Sequence, residues 1–233
     1  MTPTRTLRVA SYNLHKCRGM TGPHAPERNL QVIADLGADI VALQEVDFRF
    51  GARPEALPRR LIQDMTGMVP APHLTTSEQS LGWHGQTILL RPDLAEGATV
   101  RRLPLPGIEP RGALALRLAE LTVVVVHLGL ARSSRRAQLA RLAAKVARIG
   151  GNRFVLTGDF NEWRDERGLE SLSGLEVLAP GPSWPAPFPQ LRYDRIALSA
   201  GIEVTDSGVH DSPLARRASD HLPIWADIAL SAP

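Results

Sequence analysis

Four apolar runs in this chain each end on polar side chains: RVASYN on Asn13, IVALQE on Glu45, TVVVVH on His127, and FVLTGDFN on Asp159 and Asn161. Runs of this length and composition read as buried strands. A polar side chain buried at the end of such a strand costs free energy unless it is paired. The fold must therefore give each of these groups a partner, and convergence of all four strand ends on one site does so most economically. Read alone, Asp159 and Asn161 could equally cap a helix near RDERGLESL. If the extended backbone persists past Gly158, which permits a bend, the two side chains point to the same side.

The rest of the chain alternates strand and helix patterns. TLRVASYNL is a predicted strand, APERNLQVIADLGAD a helix with Pro26 in its first turn and Gly37 at its end, and IVALQEV the next strand. LPRRLIQDMTG reads as a short helix, followed by strands at TILLRP, ATVRRL, GALALRLAEL and LTVVVVHLG. SSRRAQLARLAAKVARIGG has apolar positions at Leu139, Leu142, Val146 and Ile149, which predicts an amphipathic helix capped by Ser133 or Ser134 and stopped by Gly150. RFVLTGDF, YDRIALS, IEVTDSGV and LPIWADIAL complete the strands, with a Pro-rich loop at 180–190 and no internal repeat. Continuous and alternating apolar strands together predict a mixed α/β fold of packed sheets with helices outside, over one domain spanning 1–233.

The single cysteine, Cys17, excludes an internal disulfide, and MTPTRTLRVAS lacks the apolar run of a secretory signal or membrane span. A soluble, cytoplasmic protein is expected, a monomer by default. The formal charge of +3 does not by itself mark a nucleic-acid binder. The arginine clusters at 101–102, 132–136 and 216–217 read mainly as solvated surface.

Glu45 is a hard oxygen ligand, and a site of carboxylates and amides without cysteine suits Mg²⁺ or Mn²⁺ better than zinc. Its structural alternative is a salt bridge to an arginine. Near the C-terminus RASDHLPIWADI brings Asp220 and His221, and YDRIALS brings Asp194. Adjacent strand residues face opposite ways, so Asp194 rather than Asp220 is the candidate to orient His221. Arg111, in EPRGALAL, enters a strand and could present its planar fork to a phosphate.

The ordered set SYN, LQE, HLG, GDFN, YDRI and SDHLP, spread from residue 11 to residue 223, resembles the endonuclease/exonuclease/phosphatase superfamily. That superfamily includes deoxyribonuclease I, abasic-site endonucleases, neutral sphingomyelinases and inositol-polyphosphate 5-phosphatases. The resemblance implies a four-layer α/β sandwich, two mixed β-sheets face to face with helices outside. It implies Mg²⁺-dependent hydrolysis of a phosphoester, with nucleic acid the leading substrate and a phospholipid, inositol phosphate or other small phosphoester the alternative. It further implies Glu45 as the principal metal ligand with Asn13 and Asp220 beside it, and Asp159 as the carboxylate acting on the attacking water. Asn161 then donates to a phosphate oxygen, His221 with Asp194 is one catalytic imidazole, and His127 is the other. Asn13 is also a candidate substrate contact, as is Arg111, for which a solvated surface position is an equal alternative.

Two departures from the family pattern stand out. Where deoxyribonuclease I-like members place a Glu supporting the histidine that His127 resembles, WHGQTILLRP has His84 and Gln86, so Gln86 becomes a candidate to support His127 or approach the phosphate. His127 and GDFN also lean away from the abasic-site branch, which has Tyr and GDLN. With few aromatic residues the chain offers no obvious base-stacking platform; Trp83, Trp163 and Trp184 are the exceptions, and core packing explains a Trp equally well.

Overall fold

Valine alternation shows how the layers form. Val123 and Val125 of TVVVVH point into one buried cluster, Val124 and Val126 into another, so this strand is apolar on both faces and lies between two packed layers. A computed structural model describes residues 5–72, 75–149, 153–164 and 167–230. In chain order the elements are β1 (Arg5–Asn13), α1 (Pro26–Asp35), β2 (Ile40–Gln44), α2 (Arg59–Thr66), β3 (Val69–Pro70), β4 (Gln86–Leu90), β5 (Thr99–Pro104), β6 (Gly112–Arg117), β7 (Thr122–His127) and α3 (Arg132–Ile149). They continue with β8 (Phe154–Asp159), β9 (Glu176–Leu178), β10 (Asp194–Leu198), β11 (Ile202–Val209), α4 (Ala215–Ala218) and β12 (Ile224–Leu230).

The strands form two six-stranded mixed sheets, ordered β11-β12-β1-β2-β4-β3 and β5-β6-β7-β8-β10-β9. Each has one parallel pair at its centre, β1 with β2 and β7 with β8, and antiparallel pairing elsewhere. Each parallel pair is bridged by a helix, α1 or α3. The two sheets thus share one pairing pattern, although the sequence carries no repeat.

Between the sheets lie Val9, Ile40, Ile88, Leu114, Val125, Ile196 and Ile228. Outside the first sheet Leu30 and Ile33 of α1 and Ile62 of α2 cover Tyr12, Val41 and Leu43. Leu139, Leu142 and Val146 of α3 cover Val124, Val126 and Leu156 of the second. These are the four layers of helix, sheet, sheet and helix. Leu114 is fully buried between the sheets, so Leu114→Ala is expected to lower the unfolding free energy by about 2–5 kcal/mol, read by urea denaturation.

Local departures from the sequence reading have simple causes. Ser133 and Ser134 fall inside the first turn of α3 rather than at its cap, because the helix starts at Arg132. Gly150, the expected stop, and Asp165 and Glu166 of RDERGLESL lie outside the described residues. The described remainder of that stretch holds a single 3-10 turn at Glu170–Leu172. Asp159 ends a strand and, among the described residues, caps no helix.

Gly158 is required by close approach. It pairs with Val126 of parallel β7 at φ +149°, and a Cβ there would lie 2.0 Å from the Val126 carbonyl oxygen. The tightness of this β7–β8 seam holds His127 level with Asp159, its partner in register.

Candidate active site

The strand directions carry every polar strand end to one edge of the sandwich. Asn13 ends β1 beside Gln44 of β2, His127 ends β7 beside Asp159 of β8, and Asp194 opens β10 opposite Asp159. Ser219, Asp220 and His221 precede β12 at the same edge, where the Ser219 hydroxyl donates to the Asn13 carbonyl at 2.6 Å. All seven non-glycine residues with positive φ among those described lie in the connections at this edge: His15, Lys16, Cys17, Glu45, Arg53, His84 and Asn161. Left-handed backbone is strained for such residues, and it persists where the surrounding structure holds a side chain in place.

Asp159 is the hub. Its Oδ2 accepts from the Asn13 amide at 3.0 Å and stands 3.4 Å from His127 Nε2 and 3.7 Å from His221 Nε2. Its Oδ1 accepts from the Asn161 backbone N–H at 2.8 Å. Burial raises its pKa to about 6, against the opposing pull of His221 and the donated hydrogen bonds. His221 Nδ1 lies 2.8 Å from Asp194 Oδ2, and Ser183 donates to that same oxygen at 2.6 Å. Burial alone would push the imidazolium down, but Asp194 and Asp159 overcome it and raise the His221 pKa to about 10. His127 is driven the other way, to about 3, by burial and then by the Arg111 guanidinium. One imidazole is thus held charged and the other neutral, with a carboxylate between them.

Glu45 meets Lys16 in a salt bridge, where the sequence suggested an arginine. Burial opposes ionisation of Glu45, yet His127 and Lys16 hold its pKa down at about 2. His127 is neutral near pH 7, so there the Lys16 ammonium does this. Asp220 Oδ1 lies 3.7 Å from His15 Nδ1. Each carboxylate is thus faced by a residue of the His15–Cys17 turn that follows β1.

Among the described residues no three His, Cys, Asp or Glu side chains converge as a metal cluster. Mg²⁺ is commonly held by only one or two carboxylates, completed by water and substrate phosphate. The donors here suit that pattern: the ionised Glu45 already holds a cation, and the Asn13 and Asp220 oxygens are hard. The residues present fit Mg²⁺ or Mn²⁺.

Beside Glu45 and His127 opens a cavity of about 90 Å³ lined also by Lys16, Arg53, His84 and Arg111. Arg49 lines its outer part. The side chains of Arg49, Arg53 and Arg111 have no hydrogen-bond or ion-pair partner among the described residues, and Arg111 Nε is buried without one.

Two sequence candidates are placed differently. Gln86 is fully buried and does not line the cavity. Its amide donates to the Gly112 carbonyl at 2.6 Å, and among the described residues it makes no hydrogen bond to His127. Asn161 leaves the extended conformation at φ +51°, and its amide donates to the Leu128 carbonyl at 2.9 Å, tying the end of β7 to the loop after β8. Phe160 turns into the core beneath α3. Sequence reading missed Lys16, His15 and Ser183; only the NLHKC run directly after Asn13 carried a signal for the first two. Trp83 is largely buried between the sheets, Trp184 packs against Tyr193 with ring centroids 5.3 Å apart and planes tilted by 43°, and Trp163 is exposed.

Comparison with known proteins agrees with this architecture. YbhP of Escherichia coli strain K12, described as uncharacterized, is 30% identical over 252 residues, covering 97% of each chain. An endonuclease/exonuclease/phosphatase structure from Beutenbergia cavernae superposes with a TM-score of 0.73 at 20% identity, covering 98% of this chain and 72% of that one. D. rerio TDP2, solved in complex with a single-strand DNA product, gives 0.71 at 16% identity over 96% of this chain and 98% of its own. Residues 10–221 match the description "Endonuclease/Exonuclease/phosphatase family", and the chain belongs to that family.

Proposed function

We propose that the protein is a Mg²⁺-dependent phosphoester hydrolase, a phosphodiesterase that directs water onto phosphorus. The observation that carries this reading is Asp159 Oδ2 set 3.4 Å from His127 Nε2 and 3.7 Å from His221 Nε2, with burial favouring the neutral form of the first imidazole and carboxylates favouring the charged form of the second. When bound, the metal would be held by Glu45 with Asn13 and Asp220 and would supply Lewis-acid stabilisation of phosphoryl charge. Asp159 takes the proton of the attacking water as the new bond to phosphorus forms. Its pKa of about 6 leaves it ionised near neutrality yet basic enough to accept. The His221 imidazolium, fixed through Nδ1 by Asp194, presents Nε2 to a phosphoryl oxygen or protonates the departing ester oxygen as its bond to phosphorus breaks. Neutral His127 and Arg111 contribute hydrogen-bond donors at the cavity wall.

Nucleic acid is supported as substrate by the TDP2 likeness, since that protein was solved with single-strand DNA. The exposed Phe50 and Ile108 in the connections that line the cavity support a lipid headgroup instead. No helix among the described residues is long and apolar enough to cross a membrane, so a lipid substrate would be met at a surface. Cytoplasmic location and a monomeric state remain part of the proposal.

Metal use is tested by calorimetry. Wild-type protein is expected to bind Mg²⁺ or Mn²⁺, and Glu45→Gln to bind at least about tenfold more weakly, as expected when a ligand to a hard cation loses its charge. Unchanged metal affinity in Glu45→Gln would remove Glu45 from the metal site.

A further inference from the structure

Among the described residues the large apolar side chains left exposed are Met20 (41%), Phe50 (83%), Ile108 (87%), Leu130 (64%), Trp163 (49%) and Phe188 (74%). Scattered singly, such residues need no explanation. These are not scattered. Each sits in a different connection: β1 to α1, β2 to α2, β5 to β6, β7 to α3, the loop after β8, and β9 to β10. The strand pairings carry all six connections to the edge that holds Asn13, Glu45, His127 and Asp159. Connections at the opposite edge expose none among the described residues.

Exposed cations accompany this ring. Arg18, Arg49, Arg132 and Arg164 each lie within two residues of one of the apolar tips, and Arg164 packs over the Trp163 ring at 4.9 Å. Apolar tips beside arginines are the composition of a surface that enters the headgroup region of an anionic bilayer, where each cation adds about 1 kcal/mol of attraction. Behind the ring the cavity of about 90 Å³, with Arg53 and Arg111 unpaired, falls well below the roughly 300–1,000 Å³ of pockets that enclose drug-sized ligands. A recess of this size, lined by unpaired guanidinium groups, suits a phosphoryl group.

We propose that this edge docks on an anionic phospholipid surface and that the phosphoester cleaved is carried by a lipid headgroup. Half of the tips, Met20, Ile108 and Leu130, have no aromatic face on which a base could stack, whereas all six suit an apolar phase. A protein seated on the ring would close the mouth over the catalytic side chains, whereas a bilayer presents its phosphoester to them. Water adds to the headgroup phosphorus, one phosphorus–oxygen ester bond breaks, and the products are an alcohol and a phosphomonoester. The inference rests on the hydrolytic reading above for its chemistry, but not for its docking.

The two are separated by measuring docking without turnover. In EDTA, wild-type protein is expected to co-sediment with phosphatidylglycerol vesicles, and a Phe50→Ser/Ile108→Ser/Phe188→Ser variant to partition about tenfold less or weaker still. With Mg²⁺, the variant's kcat/KM on vesicle phospholipid is expected to fall at least about tenfold further than its kcat/KM on the soluble diester bis(p-nitrophenyl) phosphate. Wild-type protein that stays in the supernatant, or binds single-strand DNA but not vesicles, overturns the proposal whether or not the variant folds. So does cleavage of the soluble diester with no cleavage of phospholipid. Vesicle binding with no hydrolysis of either substrate overturns the headgroup substrate and the hydrolytic reading together, while the docking surface stands.

Discussion

Asp159→Asn is expected to lower phosphoester hydrolysis by about 10²–10⁴-fold, the usual contribution of a positioned acid–base group. Asn keeps the shape and can still accept from one of its two donors, the Asn13 amide and the Asn161 backbone N–H. What it lacks is charge and a proton-accepting oxygen 3.4 Å from His127 and 3.7 Å from His221. His221 keeps Asp194 at 2.8 Å and loses only its second carboxylate. The effect should therefore fall on kcat more than on folding. Steady-state kinetics on bis(p-nitrophenyl) phosphate beside a thermal melt read both. Activity within about threefold of wild type would show that Asp159 takes no proton in the reaction, since that is far below the acid–base range.

Gly158→Ala should act on the fold. Its Cβ would meet the Val126 carbonyl oxygen at 2.0 Å, a backbone atom of the neighbouring parallel strand, at a φ of +149° that L residues rarely adopt. Overpacking and backbone strain each cost about 1–3 kcal/mol, so a loss of roughly 2–5 kcal/mol is expected. Relief can come only by spreading β7 from β8, which moves His127 away from Asp159. Denaturant unfolding measures the loss, and full stability together with full activity would show that the seam yields without consequence.

The strands that carry the site were legible because their surroundings are written into them. The four valines of TVVVVH are buried on both faces, and His221 pairs with Asp194 rather than with its neighbour Asp220, as expected, although the segment that holds it bends rather than extends. The resemblance of the six short motifs supplied the layer order. The salt bridge between Lys16 and Glu45 was not legible, because it depends on three successive left-handed residues, His15 to Cys17, in a stretch without glycine. Gln86 misled because it opens a strand at the site edge, yet its side chain turns between the sheets to the Gly112 carbonyl. Asn161 misled because extension was assumed past Asp159. β3 and β9, two and three residues long, are held by neighbouring strands and have no propensity signal of their own. The shared pairing pattern of the two sheets left no trace in the sequence, since only backbone topology repeats.

β1 is hydrogen-bonded on one side to β2 and on the other to β12. The Arg8–Asp227 pair that fastens the second seam joins residues 219 positions apart. At about 5–20 residues per second of synthesis, β1 waits roughly 10–40 s for that neighbour to leave the ribosome. Throughout that time its β12-facing edge is open to wrong strands, and Asp220 and His221 have not yet been made. Catalytic competence and protection of this edge from mispairing therefore both wait on the same late-synthesised segment.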